Sequence, residues 1–265
     1  MRLVLLALLP ALVAGGATAT EPYSHAEWTA VLARFVDEQG WVDYDGLARD
    51  RERLDRYLLS LERASPDSRP ELFPTRDHAL AYWINAYNAM TFRGVLARGP
   101  ERESVWGDGL LGIGLFTRRD VVLGGERTSL KALEDEIVRE RFRDPRVHAA
   151  LNCASRGCPR LPRAAFEGAT LDGELDAAMR ELVGEERNVA IEPAARRVTL
   201  SRIFAWFADD FLDFERRSGS PRPSVVGYVN RYLPPAARIP ADFVVRFRPY
   251  DKRINARRPA AGTTP

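Results

Sequence analysis

Two thiols, an imidazole, an amide, a hydroxyl and a guanidinium are packed into the stretch His148 to Pro159, H-A-A-L-N-C-A-S-R-G-C-P. A cysteine becomes a nucleophile when a neighbouring imidazole, cation or helix N-terminus lowers its pKa from about 8.5. Cys153 with His148 as its base fits that requirement in composition. Asn152 sits beside the thiol as a group that could orient it, and Arg156 with Ser155 could grip a substrate, the guanidinium taking a carboxylate. The other reading of the same residues is structural: a Cys153–Cys158 disulfide closing a tight loop, with Gly157 easing the turn. A metal site through His148, Cys153 and Cys158 is a third arrangement. The remaining histidines, His25 and His78, are isolated, however, and no CxxC or HExxH spacing occurs, so no metal and no cofactor is expected.

A second polar group lies in Tyr82 to Asn88, where Asn85 and Asn88 are three residues apart and project from one helical face. In a buried helix each amide needs partners; either they hold loop backbone or one of them serves a catalytic group. Tyr250, Asp251 and Asn255 make a third cluster, expected to be a turn. Asp209 and Asp210 are expected on an exposed helical face. Phosphate loops, GxSxG elbows and dinucleotide fingerprints are lacking.

The elements that must position these groups follow from periodicity and caps. Ser24 with Glu27 forms a capping-box pattern for a helix carrying Trp28, Val31, Leu32 and Phe35 inward, and Asp50 can cap a second helix. Thr75 caps a long helix reaching Arg98 and closed by Gly99-Pro100; it is apolar nearly all round and is expected to be central and buried. Asp108 to Thr117 reads as an ordered loop, Val121 to Leu123 as a strand entering a Gly-Gly turn, and Ser129 as the start of a helix. Arg146 to Asn152 reads as a buried strand. On it, His148 shares a face with Asn152 and not with Cys153, so thiol and imidazole meet only if the chain turns after Asn152. Thr170 caps a further helix, Val189–Ile191 and Arg197–Leu200 form a hairpin, Ser201 opens an aromatic helix with Phe204, Phe207 and Phe211 inward, and the chain closes on a short helix and a strand over Phe243–Phe247. The expectation is one α+β domain over residues 20–256, a small mainly antiparallel sheet with packed helices.

Residues 1–19 have an Arg2 n-region, an apolar run and an Ala17-Thr18-Ala19 end, the pattern of a cleavable export signal. The run is shorter than the ~20 residues of a membrane span. The expected product is exported, periplasmic or extracellular, with no membrane span after cleavage and a disordered tail over 257–265. Formal charge is +2 with signs interleaved, which argues against a nucleic-acid partner and leaves a small molecule or peptide as ligand.

Together the three clusters resemble the domain of unknown function 547 family, whose marks look like W-I-N-A-Y-N-A at Trp83 to Ala89, H-x-x-L-N-C-A-S…C-P at His148 to Pro159, and a closing Y-D…N at Tyr250 to Asn255. The closing mark usually reads Y-D-W-S-L-N; here its ends are kept and its middle is Lys252-Arg253-Ile254. A more distant similarity is to papain-like and transglutaminase-like thiol enzymes, although there the cysteine precedes a remote histidine. Two functions emerge: a thiol-dependent hydrolase or acyl transferase on an amide or thioester of a peptide or glutathione-like substrate, with Cys153, His148, Asn152, Asn85 and Asn88 in its machinery, or a non-catalytic envelope binding protein in which Cys153 and Cys158 are bridged.

Overall fold

A computed structural model describes residues 21–99, 101–107 and 113–257. The expected signal at 1–19, and the expected tail beyond its first residue, lie outside the described residues.

The fold is α+β. Its organising element is the helix α4, Arg76–Arg98, which follows α1 (Ala26–Phe35), α2 (Tyr44–Arg49) and α3 (Glu52–Arg63). The Thr75 side chain accepts from the His78 backbone N–H, and Gly99, at φ 92°, ends the helix in a conformation that glycine adopts without strain. Every residue from Leu80 to Phe92 is buried, as the all-round apolar sequence requires. Helices α1, α3 and α4 share one aromatic-rich core in which Trp28 meets both Tyr57 and Phe92.

The short α5 (Gly114–Thr117) precedes the hairpin β1 (Val121–Leu123) and β2 (Glu126–Thr128). Ser129 then caps a helix of mixed geometry: α6 (Leu130–Ala132), a π-helical run Leu133–Arg139, and α7 (Glu140–Phe142). Beyond it α8 (Leu171–Gly184) packs beside a three-stranded sheet. In that sheet β3 (Val189–Glu192) runs antiparallel to β4 (Arg197–Leu200), and β5 (Val244–Phe247) lies parallel on the other side of β4. The excursion between β4 and β5 carries α9 (Ile203–Trp206), α10 (Ala208–Arg217) and α11 (Val225–Asn230), which form a second core with α8. Among the described residues no helix is long and apolar enough to cross a membrane.

Several sequence expectations change. Arg146 to Asn152 is not a strand: Pro145–Ala149 forms a 3-10 turn because the Asp144 side chain caps the Arg146 N–H and Pro145 occupies the first helical position. Glu27 closes no capping box; its carboxylate turns to Arg53 and Arg56. Asp50 ends α2 and pairs with Arg34 instead of capping α3. The aromatic helix breaks at Phe207, and the Asp108–Thr117 segment, where described, contains α5 rather than loop alone.

Candidate functional site

The turn bearing His148 is fixed from outside and inside. Arg146 ties it to the start of α8 through Asp172 and Asp176. His148 is itself buried, stacked on Phe207 with ring centroids 3.9 Å apart. Its Nε2 lies 2.7 Å from Asp210 Oδ2 on α10. Asp210 also receives Arg139, at 2.7 and 3.1 Å, from the π-helical run. The expectation of an exposed Asp210 is therefore corrected: a break at Phe207 turns it toward the imidazole. Burial lowers the His148 pKa despite its carboxylate partner, so the ring is neutral at neutral pH. Because a carboxylate only accepts, neutral His148 carries its proton on Nε2 and leaves Nδ1 as the basic nitrogen.

The cysteine loop is held by asparagines. Asn88 donates to the Ala150 carbonyl at 3.0 Å and accepts the Asn152 N–H at 2.8 Å. Asn152 in turn donates to the Pro159 carbonyl and accepts the Ala154 N–H at 2.9 Å, while Ala154 takes the left-handed conformation at φ 60°. Asn255 completes the brace by donating to Asn152 Oδ1 and accepting from the Tyr44 hydroxyl. Asn85 belongs elsewhere: both ends of its amide bond the backbone of Phe166. Asn85, Asn88 and Asn152 are thus internal supports, and none of them lines the thiol cavity described below.

The closing segment is not an ordinary turn. Ile254 bridges Ser155, Ala256 bridges Val42, and Arg156 and Gly157 donate backbone N–H groups to Arg253 and Asp251. This strap places Tyr250 over the loop, with its hydroxyl 3.0 Å from Cys153 Sγ and 3.1 Å from Cys158 Sγ. Gly157 makes the approach possible, since a Cβ there would lie 2.7 Å from the Tyr250 ring.

Cys153 and Cys158 are free thiols, which corrects the disulfide alternative. The Cys153 N–H donates to Cys158 Sγ at 3.0 Å, so the second sulfur serves the loop as a hydrogen-bonding partner and not as a covalent one. The two thiols differ in ionisation. The Cys158 thiol lowers Cys153 most, burial opposes, and Tyr250 and Ser155 add to the lowering, bringing Cys153 to about 7. Burial pushes Cys158 and Tyr250 well above their ordinary values, so both stay protonated as donors. Cys153 is the thiolate-forming member.

Cys153 and His148 line one cavity of about 220 Å³ whose walls are largely apolar, with Trp106, Phe116, Leu151, Trp206 and Phe207 prominent. The π-helical run adds Glu134, whose carboxyl is raised to about 7, chiefly by burial and then by Cys153, and which accepts from the Tyr87 hydroxyl at 3.2 Å. The π geometry turns Glu134 and Asp135 to the cavity and Arg139 to Asp210, a use of π-helical turns common at functional sites. Ser155 accepts from the indole of Trp106, a wall of the cavity. Arg156 lies apart: it stacks over Trp41 and lines a different cavity from the one that holds Cys153. Among the described residues no cluster suited to a metal ion occurs.

Sequence reasoning missed Tyr250, Glu134 and Asp210 as site groups. The closing Y-D…N mark was a signal for the first; Asp210 looked like an ordinary helix-surface acid, and Glu134 carried no expected role. Neither a curated protein nor a solved structure matches the chain. One family model does, over residues 72–183, a span that includes Asn88, Glu134, His148 and both cysteines and stops short of Asp210 and Tyr250. Residues 72–183 of this chain match the model of the family described as protein of unknown function, DUF547.

Proposed function

We propose that the protein is a thiol-dependent hydrolase or acyl transferase with Cys153 as nucleophile. The observation that carries this reading is a thiol brought to about 7 on the wall of a cavity that also holds a neutral, carboxylate-oriented imidazole. In the reaction Cys153 Sγ attacks the acyl carbon and the bond to the leaving amine or thiol breaks. His148 Nδ1 carries the thiol proton to that leaving group. Water or an acceptor nucleophile, deprotonated by the same nitrogen, then releases the acyl group and returns the thiol. Asp210 holds the imidazole in the required tautomer. The apolar walls favour a small apolar or aromatic acyl group, with its amide or thioester at the sulfur.

The signal-like leader supports a place outside the cytoplasm as part of the same reading, and N-terminal sequencing of the native product near Thr20 checks it. For the chemistry, short apolar p-nitrophenyl esters and thioesters should give an acyl-enzyme visible by intact mass, mapped to Cys153 and lost in Cys153→Ser. Failure to form any Cys153 adduct, with labelling by iodoacetamide also absent at neutral pH, overturns the proposal.

A further inference from the structure

A second cavity, of about 260 Å³, lies behind the wall that Tyr250 gives to the thiol site, and its chemistry is different. Loops from separate parts of the chain deliver Arg156, Arg187, Arg202 and Arg248 to it, facing a single lining carboxylate, Asp251. That carboxylate is already engaged by Arg253, which holds it below the ordinary range. Two of the guanidiniums are fixed in place. Arg156 stacks over Trp41 and donates to the Ile254 carbonyl, and Arg187 donates to the carbonyls of Arg156 and Cys158 while pairing with Glu185 at the margin. The other two stand at the mouth. Arg248 reaches only a backbone carbonyl, that of Glu186, and among the described residues Arg202 pairs with no carboxylate.

Bringing four cations into so small a space costs free energy through mutual repulsion unless an anion shares it. Guanidiniums in fixed directions also suit closely spaced anionic oxygens, each of which can take two N–H donors. We infer that this cavity is a binding site for a compact polyanion bearing phosphate or carboxylate groups. The inference does not depend on the thiol chemistry, because no residue it uses touches Cys153 except Tyr250, which lines both cavities.

The test is calorimetric titration of the full mature chain with pyrophosphate and, separately, citrate at physiological ionic strength, where unspecific surface attraction is largely screened. Saturable one-to-one binding of either probe is expected, and the preferred probe identifies the anion as phosphate-like or carboxylate-like. The double variant Arg202→Gln with Arg248→Gln, both exposed and therefore tolerated by the fold, should weaken it about tenfold or more. Cys153→Ser should bind as the parent does, which keeps this outcome separate from that of the thiol proposal. Absence of saturable binding for both probes overturns the inference, as does equal binding by the double variant or an equal loss in the exposed control Arg222→Gln.

Discussion

The Tyr250 hydroxyl stands 3.0 Å from Cys153 Sγ and reaches Cys158 Sγ at 3.1 Å, so one phenol contacts both thiols of the chain. With Tyr250 and Cys158 both kept protonated by burial, Cys153 is the one group in the trio that gains from ionising. The two donors are not equal, since Cys158 contributes most to the lowering and Tyr250 less. Removing either should raise the Cys153 pKa, Cys158→Ala further than Tyr250→Phe. At neutral pH the rate of iodoacetamide alkylation should fall by about tenfold if the thiol returns to its ordinary value of about 8.5. Rate against pH for the three proteins measures this; a reversed order of the midpoints would show that the phenol is the main donor.

Gly157 tests the same contact by steric means. Its φ lies outside the left-handed region, so alanine meets no backbone strain there; the obstacle is the Tyr250 ring, 2.7 to 2.9 Å from an added Cβ. Gly157→Ala should displace the ring and cost about 1–3 kcal/mol. It should also raise the Cys153 midpoint as Tyr250→Phe does, whereas a stability loss with an unmoved midpoint would mean that the loop and not the ring had yielded.

The division between what could and could not be read from the sequence follows from the range of the forces involved. The long buried helix was legible because its Thr75 cap, Gly99 stop and apolar faces are local features, and the β3–β4 hairpin because its strands alternate around a short connection. Asn152 and Cys153 stood out because polar groups crowd there. Their partners were hidden. Tyr250 is remote in sequence from Cys153 and arrives through a strap of isolated bridges that has no periodicity. Asp210 reads as a surface acid until the helix breaks at Phe207. The His148 turn was misread as a strand because buried alanines fit either conformation, and the side-chain cap from Asp144 decided between them.

Glu134 gives a pH signature of opposite sign to most carboxylates. Its folded pKa is raised to about 7, above its unfolded value of about 4.3, so the neutral form is favoured in the fold. The associated stability is complete below the unfolded value and is lost as pH rises through 7. Glu134→Gln should therefore match the parent near pH 4.5 and exceed it above pH 8 by roughly 3–4 kcal/mol. Denaturant midpoints across that range decide it; parallel curves would place Glu134 as an ordinary ionised acid.

Asn88 is expected to matter for the site without touching substrate. It is buried and satisfies the Ala150 carbonyl and the Asn152 N–H, two backbone groups of the loop. Asn88→Ala leaves both without their partner and should destabilise the protein by about 2–4 kcal/mol. Hydrogen exchange should show the Asn152 amide losing protection more than the Phe166 amide, which Asn85 holds separately. Equal loss at both would indicate global unfolding in place of a local support.

Asp210 is where stability and the proposed chemistry meet. Burial opposes its charge, but His148 and Arg139 overcome that and hold the carboxyl well below the usual range. A depressed carboxyl contributes stability that is full above its unfolded value of about 3.9 and is lost as pH falls toward the folded one. His148, whose pKa is also lowered, contributes its own loss beginning below about 6.5. Asp210→Asn should cost about 1–3 kcal/mol at neutral pH. It should also flatten the acid limb below pH 4 while keeping the part that begins near 6.5. Because the Asn amide can donate as well as accept, it no longer fixes the proton on Nε2, so formation or release of the acyl-enzyme should slow by about a hundredfold or more. Alkylation of Cys153 should change far less, since its thiolate is held by Cys158 and Tyr250. Equal slowing of alkylation and acyl transfer would locate Asp210 in thiol ionisation and remove His148 from the proton-transfer role.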